Sequence, residues 1–320
     1  MPKVPMNAGP NVTVAVITAN RSAMLAECLQ SLLRGDYPIA ELLVLDNASS
    51  DDTPEVVRRD FPQARLIRNE RNMGLSHCHN RAMREFTGDC VLLLDDDNEV
   101  APDMLRTLVE YLYAPGHERV GIVGPVIYDW YHRGAVVLSG GATSLWSGMA
   151  RLNSKTIDYA AVFYESQRCP NSTLIKRECI AQIGFMDDRL FSTLADEDYV
   201  RRMNARGWIC HFVLAAATYH KQKLAHDLAR RLGMTNPARV YILARNRTVL
   251  VRRYARWYQL LVYLLLWHNY FAAVYLAILL FKVRRPAFTL AYLAGLWDAL
   301  CNVFTGALPP LERVLRLCET

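Results

Sequence analysis

The chain has 320 residues, enough for one large domain or two ordinary ones, and 52% of them are hydrophobic, which is high for a soluble protein. Its formal net charge is +6, and the basic residues lie next to apolar sequence. Aromatic residues are not interleaved with the basic ones in a strand-borne stacking pattern, which favours an anionic membrane surface over a nucleic-acid partner. The eight cysteines include no C-x-x-C pair, which argues against a zinc site and a disulfide scaffold and for a reducing compartment.

The first hundred residues alternate apolar, β-rich runs with helical patterns. In chain order, the predicted elements are a strand at Val12–Thr18, a helix at Met24–Leu33, a strand at Leu42–Leu45, a helix from Glu55, a strand at Ala64–Arg68, a helix at Ser76–Phe86 and a strand at Val91–Leu94. Strands that alternate with helices in this way predict βαβ units and a parallel sheet.

Three successive aspartates, Asp95, Asp96 and Asp97, follow the strand at Val91–Leu94. A run of four apolar residues indicates a strand buried on both faces, and ligands of open α/β sheets bind at the carboxyl ends of such strands. Because side chains alternate along an extended segment, Asp95 and Asp97 are expected on one side and Asp96 on another. Two neighbouring carboxylates require a positive charge, which a divalent cation shared with a ligand's phosphates would supply.

A helix cap is the alternative interpretation of the acidic cluster. An Asp-Asn pair and a proline precede a helical pattern at Met104–Tyr113, and this is good capping chemistry. One aspartate would suffice for a cap, so three in a row favour a ligand site.

The sequence after Tyr113 is less regular. A strand is predicted at Val120–Ile127, and the Gly-, Ser- and Thr-rich stretch Val136–Asn153 indicates a more antiparallel, loop-rich segment that forms one wall of the site. Further along, the patterns predict a strand at Ser172–Lys176, a helical turn at Arg177–Ile183, a helix at Leu194–Gly207 and a β-rich run at Ile209–Tyr219.

Two apolar segments near the carboxyl terminus indicate membrane association. Tyr258–Phe281 is close to the length of a bilayer-spanning helix, but His268 and Asn269 interrupt it, and a second segment at Ala287–Phe304 also contains polar residues. Basic residues flank the first segment on both sides, which favours helices that lie at the interface or re-enter it over a simple span. A two-helix hairpin through the membrane and a buried hairpin in a soluble dimer are the alternatives.

Several motifs, in a fixed order, carry a family resemblance. They are V-A-V-I-T-A-N-R, L-L-V-L-D-N-A-S-S-D-D-T, N-M-G-L-S-H-C-H-N and L-L-L-D-D-D-N, followed by S-T-L-I-K-R-E-C-I-A-Q-I-G-F-M-D-D-R-L-F and A-D-E-D-Y-V-R-R-M-N-A-R-G-W. Together they resemble the inverting glycosyltransferases of family 2, and the R-N-R run at Arg245–Arg247 is similar to the rhamnosyltransferase-like branch. The resemblance extends from Val12 to about Arg253. It implies the GT-A fold, an α/β architecture with a Rossmann-like, mostly parallel sheet flanked by helices.

The resemblance also implies an organisation and an activity. Residues 1–253 would form the catalytic domain, with a nucleotide-sugar-binding half at 12–115 and an acceptor half at 116–253, and a helical membrane-associated region would follow at 254–320. The expected reaction is metal-dependent, inverting transfer of a sugar from a nucleotide-sugar donor to a hydroxyl acceptor at the cytoplasmic face of the cell membrane. We expect a lipid-linked or other saccharide as the acceptor and no nucleic-acid partner. A homo-oligomer is one candidate for the assembly of the chain.

The same resemblance implies the donor-binding residues. Asp95 and Asp97 match the D-x-D pair that holds Mg²⁺ or Mn²⁺ on the donor's diphosphate, and His220 is a further metal-binding candidate. The predicted donor contacts are Thr18, Asn20, Arg21, Asp46, Asn72, Gly74, Asn80, Asp95, Asp96 and Arg245. From the residues alone, Asp46 suits a simple turn as well as a donor contact, and Arg245 suits a solvated surface as well as a phosphate contact. A lone histidine such as His220 is more often structural than a metal ligand.

Asp196 is the predicted general base. The family pattern is Glu-Asp-x-Asp, and here it reads Ala195-Asp196-Glu197-Asp198, so Glu197 is the second candidate. The base would remove the proton of the acceptor hydroxyl as that oxygen attacks the anomeric carbon. Without the resemblance, the acidic trio suits the amino-terminal end of a helix dipole.

Other functions are compatible with parts of the pattern. A catalytically impaired, sugar-nucleotide-binding scaffold at the membrane is one, since Ala195 replaces the family's Glu. A haloacid-dehalogenase-like phosphatase also places D-x-D after a strand, but Glu99 stands where that pattern requires Thr or Val. A Rossmann dehydrogenase is disfavoured, because no G-x-G-x-x-G follows the first strand.

Overall fold

The computed structural model describes residues 9–153, 158, 160–169, 172–221, 228 and 232–318. At the start of the chain, four apolar strands alternate with three helices. These elements are β1 (Val12–Thr18), α1 (Ser22–Leu33), β2 (Glu41–Asp46), α2 (Thr53–Asp60), β3 (Ala64–Arg68), α3 (Leu75–Glu85) and β4 (Cys90–Asp95). Strand β1 pairs in parallel with β2 and β4, and β2 pairs in parallel with β3. The predicted βαβ units and parallel sheet are confirmed.

The rest of the sheet is mixed. The elements that follow β4 are β5 (Asn98–Val100), α4 (Met104–Leu112), β6 (Val120–Asp129), β7 (Val136–Leu138), β8 (Gly141–Thr143), β9 (Ala150–Leu152), β10 (Phe163–Glu165), β11 (Ser172–Lys176), α5 (Arg177–Ile183), a 3-10 turn (Asp188–Leu190), α6 (Ala195–Asn204) and β12 (Ile209–His220). The strand order is β10-β12-β6-β11-β4-β1-β2-β3, in which β11 is antiparallel to both neighbours. Strands β8 and β9 form a separate two-stranded sheet. The short antiparallel strands β7, β8 and β9 occupy the stretch predicted to be loop-rich.

Strand β1 is buried on both faces. Val14 and Val16 lie in a core covered by α1, α2 and α4, whereas Ala15 and Ile17 lie in a second core covered by α3, α5 and α6. Two covered faces explain why an uninterrupted apolar run, and not an alternating pattern, marks this strand in the sequence.

The carboxyl ends of β1, β2 and β4 meet at one edge of the sheet. Thr18 is in register with Asp46, and Ile17 is in register with Asp95. Strand β5 follows the three aspartates, and α4 begins only at Met104, after Asp103. The helix-cap interpretation of the acidic cluster is therefore wrong.

Four helices complete the described chain: α7 (Pro237–Tyr254), α8 (Trp257–Val283), α9 (Pro286–Thr305) and α10 (Leu311–Cys318). By length and composition, α8 and α9 could each cross a membrane. Helix α9 packs closely against α7, since an added Cβ on Gly295 would lie 2.4 Å from the Tyr241 carbonyl oxygen. Helix α7 was not predicted from the sequence, and α10 lies in the helical region expected at 254–320 but was given no bounds there.

His268 and Asp298, two polar residues within the apolar segments, face the protein. His268 in α8 is buried, and its Nδ1 lies 3.1 Å from the Thr248 hydroxyl of α7. Asp298 in α9 is also buried, accepts a hydrogen bond from the Tyr241 hydroxyl and pairs with Arg313 at 2.8 Å. His268 and Asp298 are thus satisfied by protein partners, whereas Asn269 is exposed and donates hydrogen bonds from its amide to two carbonyl oxygens of its own helix.

Candidate active site

A cavity of about 340 Å³ opens at the carboxyl end of β4. Its lining includes Asp95 at the end of β4, His220 at the end of β12, and Asp196 in the first turn of α6. Most of the wall is apolar and comes from Leu75, Ile127, Val137, Leu138, Met186 and Leu194. The structure therefore brings Asp95, His220 and the candidate base Asp196 into one cavity, with β7 on one side.

The three aspartates of the cluster have different surroundings. Asp96 is buried and accepts hydrogen bonds from the Thr18 hydroxyl at 2.7 Å and from Arg21 Nη1 at 3.0 Å. Asp97 lies 3.2 Å from the same Arg21 nitrogen and 3.3 Å from His220 Nε2. The Asp95 carboxylate makes no hydrogen bond or salt bridge with the described part of the chain.

These surroundings separate the acidities of the cluster. Burial, together with repulsion from Asp97 and Asp96, raises the pKa of Asp95 to about 7. Burial alone would also raise the pKa of Asp97, but the hydrogen bond and charge of His220, with Arg21, lower it. A buried carboxylate that is repelled by its neighbours and forms no salt bridge with the described residues is well suited to an added divalent cation.

The metal ligands themselves stay a prediction. Within the described residues, no group of three or more His, Cys, Asp or Glu side chains is arranged to hold a metal ion. Two carboxylate groups nevertheless fit Mg²⁺ or Mn²⁺, because these ions commonly take only one or two protein carboxylates and complete their coordination with substrate phosphates and water. His220 in this structure pairs with Asp97.

A second cleft, of about 420 Å³, lies beside the end of β1, and Asn20 and Arg21 line it. Asn20 and Arg21 are both exposed, so a ligand can reach them. Thr18 differs, because it is buried and its hydroxyl is committed to Asp96. Asp96, which also accepts the Thr18 hydroxyl, therefore holds Arg21 in place, and donor contacts of Thr18 and Asp96 themselves stay predictions.

Asp46 and Asn80 are fully buried and already have protein partners. The Asp46 carboxylate accepts hydrogen bonds from the Ser49 backbone N–H at 2.9 Å and from Arg68 Nε at 2.7 Å. The Asn80 amide exchanges hydrogen bonds with the backbone N–H and C=O of Met186 at 2.8 and 2.9 Å. These polar atoms are satisfied inside the protein, and donor contacts of Asp46 and Asn80 stay predictions.

The turn at Asn72–Gly74 supports the loop that leads to α6. Asn72 Oδ1 accepts hydrogen bonds from Asn47 Nδ2 at 2.8 Å and from the Gly74 backbone N–H at 3.0 Å. Gly74 has a φ of +83°, and an added Cβ would lie 2.5 Å from the Phe191 ring. Gly74 is thus required by its backbone conformation and by close packing, and a donor contact at this turn stays a prediction.

We expect Gly74→Ala to destabilise the fold more than Gly116→Ala, the matched control. Gly116 has a similar φ of +87° but open space around its added Cβ, so its substitution costs about 1–2 kcal/mol for the left-handed backbone alone. Displacing the Phe191 ring adds roughly 1–3 kcal/mol to the cost of Gly74→Ala. Chemical denaturation of both variants measures the difference, and equal losses would contradict the packing argument.

Only Asp196 of the acidic trio faces the cavity. Glu197 is fully buried, accepts hydrogen bonds from the Thr143 backbone N–H at 2.9 Å and hydroxyl at 2.6 Å, and pairs with Arg201 at 2.8 Å. Asp198 is buried too and pairs with Arg253 at 2.7 Å. This corrects Glu197 as second candidate base, since its oxygens hold β8 against α6 and are unavailable to a substrate.

Arg168 is a cavity residue that sequence reasoning missed. Its Nε lies 3.9 Å from the Asp196 carboxylate and from the Glu197 carboxylate, too far for a hydrogen bond to either. Burial raises the pKa of Asp196, and the charge of Arg168 partly counteracts this effect. No motif marks Arg168, because its position beside the acids depends entirely on folding.

Arg245 does not contact the cavity. It is fully buried, donates a hydrogen bond from Nη2 to the Arg189 carbonyl oxygen and one from Nε to Asn246 Oδ1 at 2.9 Å. This corrects the predicted donor contact of Arg245, because its guanidinium is enclosed between α7 and the 3-10 turn.

Comparison with known proteins identifies the family. Residues 13–146, which include the β1, β2 and β4 edge, match the family described as Glycosyl transferase family 2. The chain carries a family 2 glycosyltransferase domain. This match leaves the phosphatase and dehydrogenase alternatives without support.

Relatives of this glycosyltransferase include a transferase that acts on lipid-linked sugar. The chain is 26% identical over 244 residues to the N-acetylglucosaminyl-diphospho-decaprenol L-rhamnosyltransferase of Mycobacterium tuberculosis, covering 68% of this chain and 77% of the relative. Among solved structures, it resembles S. aureus TarS 1–349 in complex with UDP-GlcNAc, with a TM-score of 0.59, 18% identity and coverage of 95% and 82% of the two chains.

A second solved structure gives the same architecture. The mannosyltransferase PcManGT from Pyrobaculum calidifontis, in complex with GDP-Man and Mn²⁺, matches with a TM-score of 0.55 and 21% identity, covering 92% of this chain and 88% of that one. These similarities confirm the GT-A fold of the glycosyltransferase.

Proposed function

We propose that this glycosyltransferase transfers a sugar, with inversion, from a nucleotide-sugar donor to a hydroxyl of a lipid-linked saccharide at the cytoplasmic face of the cell membrane. The observation that supports it is the single cavity that joins Asp95, at the donor edge of the sheet, to Asp196. The proposed catalytic domain covers residues 1–253, with donor half 12–115 and acceptor half 116–253, and residues 254–320 form the membrane-associated region.

The donor half would bind the nucleotide sugar at the edge formed by β1 and β4. Asn20 and Arg21 line the adjacent cleft, and Asp95 and Asp97 would hold the divalent cation, with His220 beside them. When bound, Mg²⁺ or Mn²⁺ would neutralise charge on the departing diphosphate. Arg21 adds a second positive charge, since its guanidinium lies against Asp96 and Asp97 and is half exposed.

Asp196 would act on the acceptor. Its carboxylate takes the proton of the acceptor hydroxyl while that oxygen forms a bond to the anomeric carbon, and the bond from this carbon to the diphosphate breaks on the opposite face. The nucleoside diphosphate leaves with the bonding electrons, so one inverted glycosidic bond forms per donor consumed. Burial favours this role, because the raised pKa of Asp196 makes it a stronger proton acceptor.

The membrane-associated region would bring the cavity to a lipid-linked acceptor. Helices α8 and α9 expose large apolar side chains, namely Trp257, Leu261, Leu265, Leu266, Tyr270, Leu280, Phe281, Leu290, Trp297 and Phe304. Lys282 lies in the last turn of α8, and Arg284 and Arg285 connect α8 to α9. Apolar side chains beside basic ones are typical of segments that bind anionic membranes. The relative from M. tuberculosis, whose name specifies a decaprenol-linked sugar, supports the same class of acceptor.

The test is sugar transfer by the full chain to two acceptors from a panel of nucleotide sugars. One acceptor is N-acetylglucosaminyl-diphospho-polyprenol in anionic vesicles, and the other is a water-soluble analogue without the lipid. We expect kcat/KM to be at least about tenfold higher with the lipid acceptor, since surface binding raises the local concentration of both partners. Equal rates for the two acceptors would contradict the lipid part of the proposal.

A charged substitution on α8 separates membrane binding from chemistry. Leu265→Asp is expected to reduce vesicle binding and transfer to the lipid acceptor by about tenfold or more, because a charge on the lipid-facing surface is costly. Val162→Asp is the matched control, since both side chains are 64% exposed and Val162 lies beside β10 on the catalytic domain. Transfer to the water-soluble acceptor should be unchanged in both variants.

A further inference from the structure

Two consecutive buried residues of α7 contact the loop that leads to Asp196. Asn246 Nδ2 donates hydrogen bonds to the carbonyl oxygens of Leu190 and Thr193, both at 2.8 Å. Arg245 Nη2 donates to the Arg189 carbonyl oxygen, and Arg245 Nε donates to Asn246 Oδ1 at 2.9 Å. Both side chains are 0% exposed, so the pair forms one enclosed polar unit directed at a single loop.

The loop that receives these hydrogen bonds has an unusual backbone. Phe191 and Leu194 both have a φ of +66°, a left-handed conformation that non-glycine residues adopt at a cost of about 1–2 kcal/mol each. Leu194 directly precedes α6, in which Asp196 is the second residue. Such backbone conformations persist only where the surroundings hold them. The hydrogen bonds to Leu190 and Thr193 bracket Phe191 and end next to Leu194.

The loop and α7 each make further hydrogen bonds with the rest of the protein. On one side, the Phe191 carbonyl oxygen accepts a hydrogen bond from the Ser76 backbone N–H at 2.9 Å. On the other side, Arg245 lies 3.4 Å from the Tyr241 hydroxyl, which in turn donates to Asp298 of α9. The pair thus connects a rigid helix contact to the loop, and neither residue lines the cavity.

We propose that Asn246, held by Arg245, is a positioning residue for the transfer reaction and directs the Asp196 carboxylate toward the acceptor hydroxyl. The inference rests on the proposed role of Asp196 as base. It assigns a role to the R-N-R run that donor binding does not explain. Loss of the two hydrogen bonds would leave the carbonyls of Leu190 and Thr193 unpaired and let the loop move, and a displacement of about 1 Å is enough to cost on the order of 10²-fold in rate.

Asn246→Asp tests this with little change in shape. The substituted side chain keeps the oxygen that faces Arg245 but replaces the donating amide with an acceptor that repels two carbonyl oxygens. We expect kcat to fall by about 10- to 100-fold, with the donor KM and metal-dependent donor binding unchanged. Thr248→Val is the matched control: Thr248 is also 0% exposed on α7, but it bonds to Tyr263 and His268 and not to the loop. This control should lower the melting temperature and leave kcat unchanged.

A double-mutant cycle distinguishes positioning from general damage. In the Asp196→Asn background, Asn246→Asp should lower the residual rate by less than about twofold, because the carboxylate that Asn246 positions is already absent. Equal losses in both backgrounds, or an unchanged kcat in the single variant, would overturn the inference while leaving the base assignment intact. Wild-type activity of Asp196→Asn itself would instead overturn the proposed base. If Asn246→Asp does not fold, Asn246→Ser, which keeps one donor without the repulsion, is measured against the same outcomes.

Discussion

Asp196→Asn is expected to lower kcat for sugar transfer by about 10²- to 10⁴-fold, the usual contribution of a positioned general base. Asparagine has the shape of aspartate but cannot accept the proton of the acceptor hydroxyl at neutral pH. The side chain belongs to α6 and not to the edge formed by β1 and β4, so the melting-temperature increase caused by a nucleoside diphosphate with Mn²⁺ should be retained. Initial rates and thermal shifts on the same preparation measure both effects.

Glu197→Gln is the matched control for this experiment. Glu197 is the next residue in the same helical turn, but its carboxylate is consumed by Thr143 and Arg201. Its substitution should lower the melting temperature and leave substantial turnover in the folded fraction. If Asp196→Asn keeps the wild-type rate while Glu197→Gln is inactive, the base assignment is wrong. Donor binding without turnover in the wild-type protein would instead support the scaffold alternative.

Asp95→Asn is expected to abolish the metal dependence of donor binding and to lower kcat/KM by at least about 10²-fold, since a metal ion that polarises a phosphate contributes several kcal/mol. The Asp95 carboxylate has no hydrogen bond or salt bridge to the described residues, so its loss removes little from the fold. Removal of divalent cations with EDTA should reproduce the effect in the wild-type enzyme. Titration of Mn²⁺ against activity and against nucleoside-diphosphate binding measures it.

The opposite end of β4 provides the control for the metal prediction. Asp89 directly precedes the strand, and its carboxylate accepts a hydrogen bond from the Asn11 backbone N–H at 2.8 Å, far along the strand from the cavity. Asp89→Asn should keep the response to Mn²⁺. An unchanged Mn²⁺ response in Asp95→Asn, or activity that survives EDTA, would show that the proposed metal-binding residues are wrong.

Local sequence patterns predicted most of the helices and strands. Short stretches of sequence contain the apolar runs of β1 and β4 and the helical periodicity between them. A strand buried on both faces appears as an uninterrupted apolar run wherever it lies in the chain. The long helices α8 and α9 were predicted within two residues of their ends for the same reason. Helix α7 was missed, because its buried residues include Arg245, Asn246 and Thr248, so the helix shows no clear apolar face in the sequence.

The amino-acid sequence by itself determined the family motifs, the parallel sheet and the place of three aspartates at the end of its central strand. Only the tertiary structure decided which acids remain open to a substrate. The Glu197 carboxylate accepts hydrogen bonds from Thr143, 54 residues away, and Asn246, more than 50 residues further along the chain, bonds to Leu190 and Thr193 in the loop before Asp196. A carboxylate becomes a structural partner or a reactive group according to the groups that folding places around it, and adjacent residues in the chain do not specify those groups.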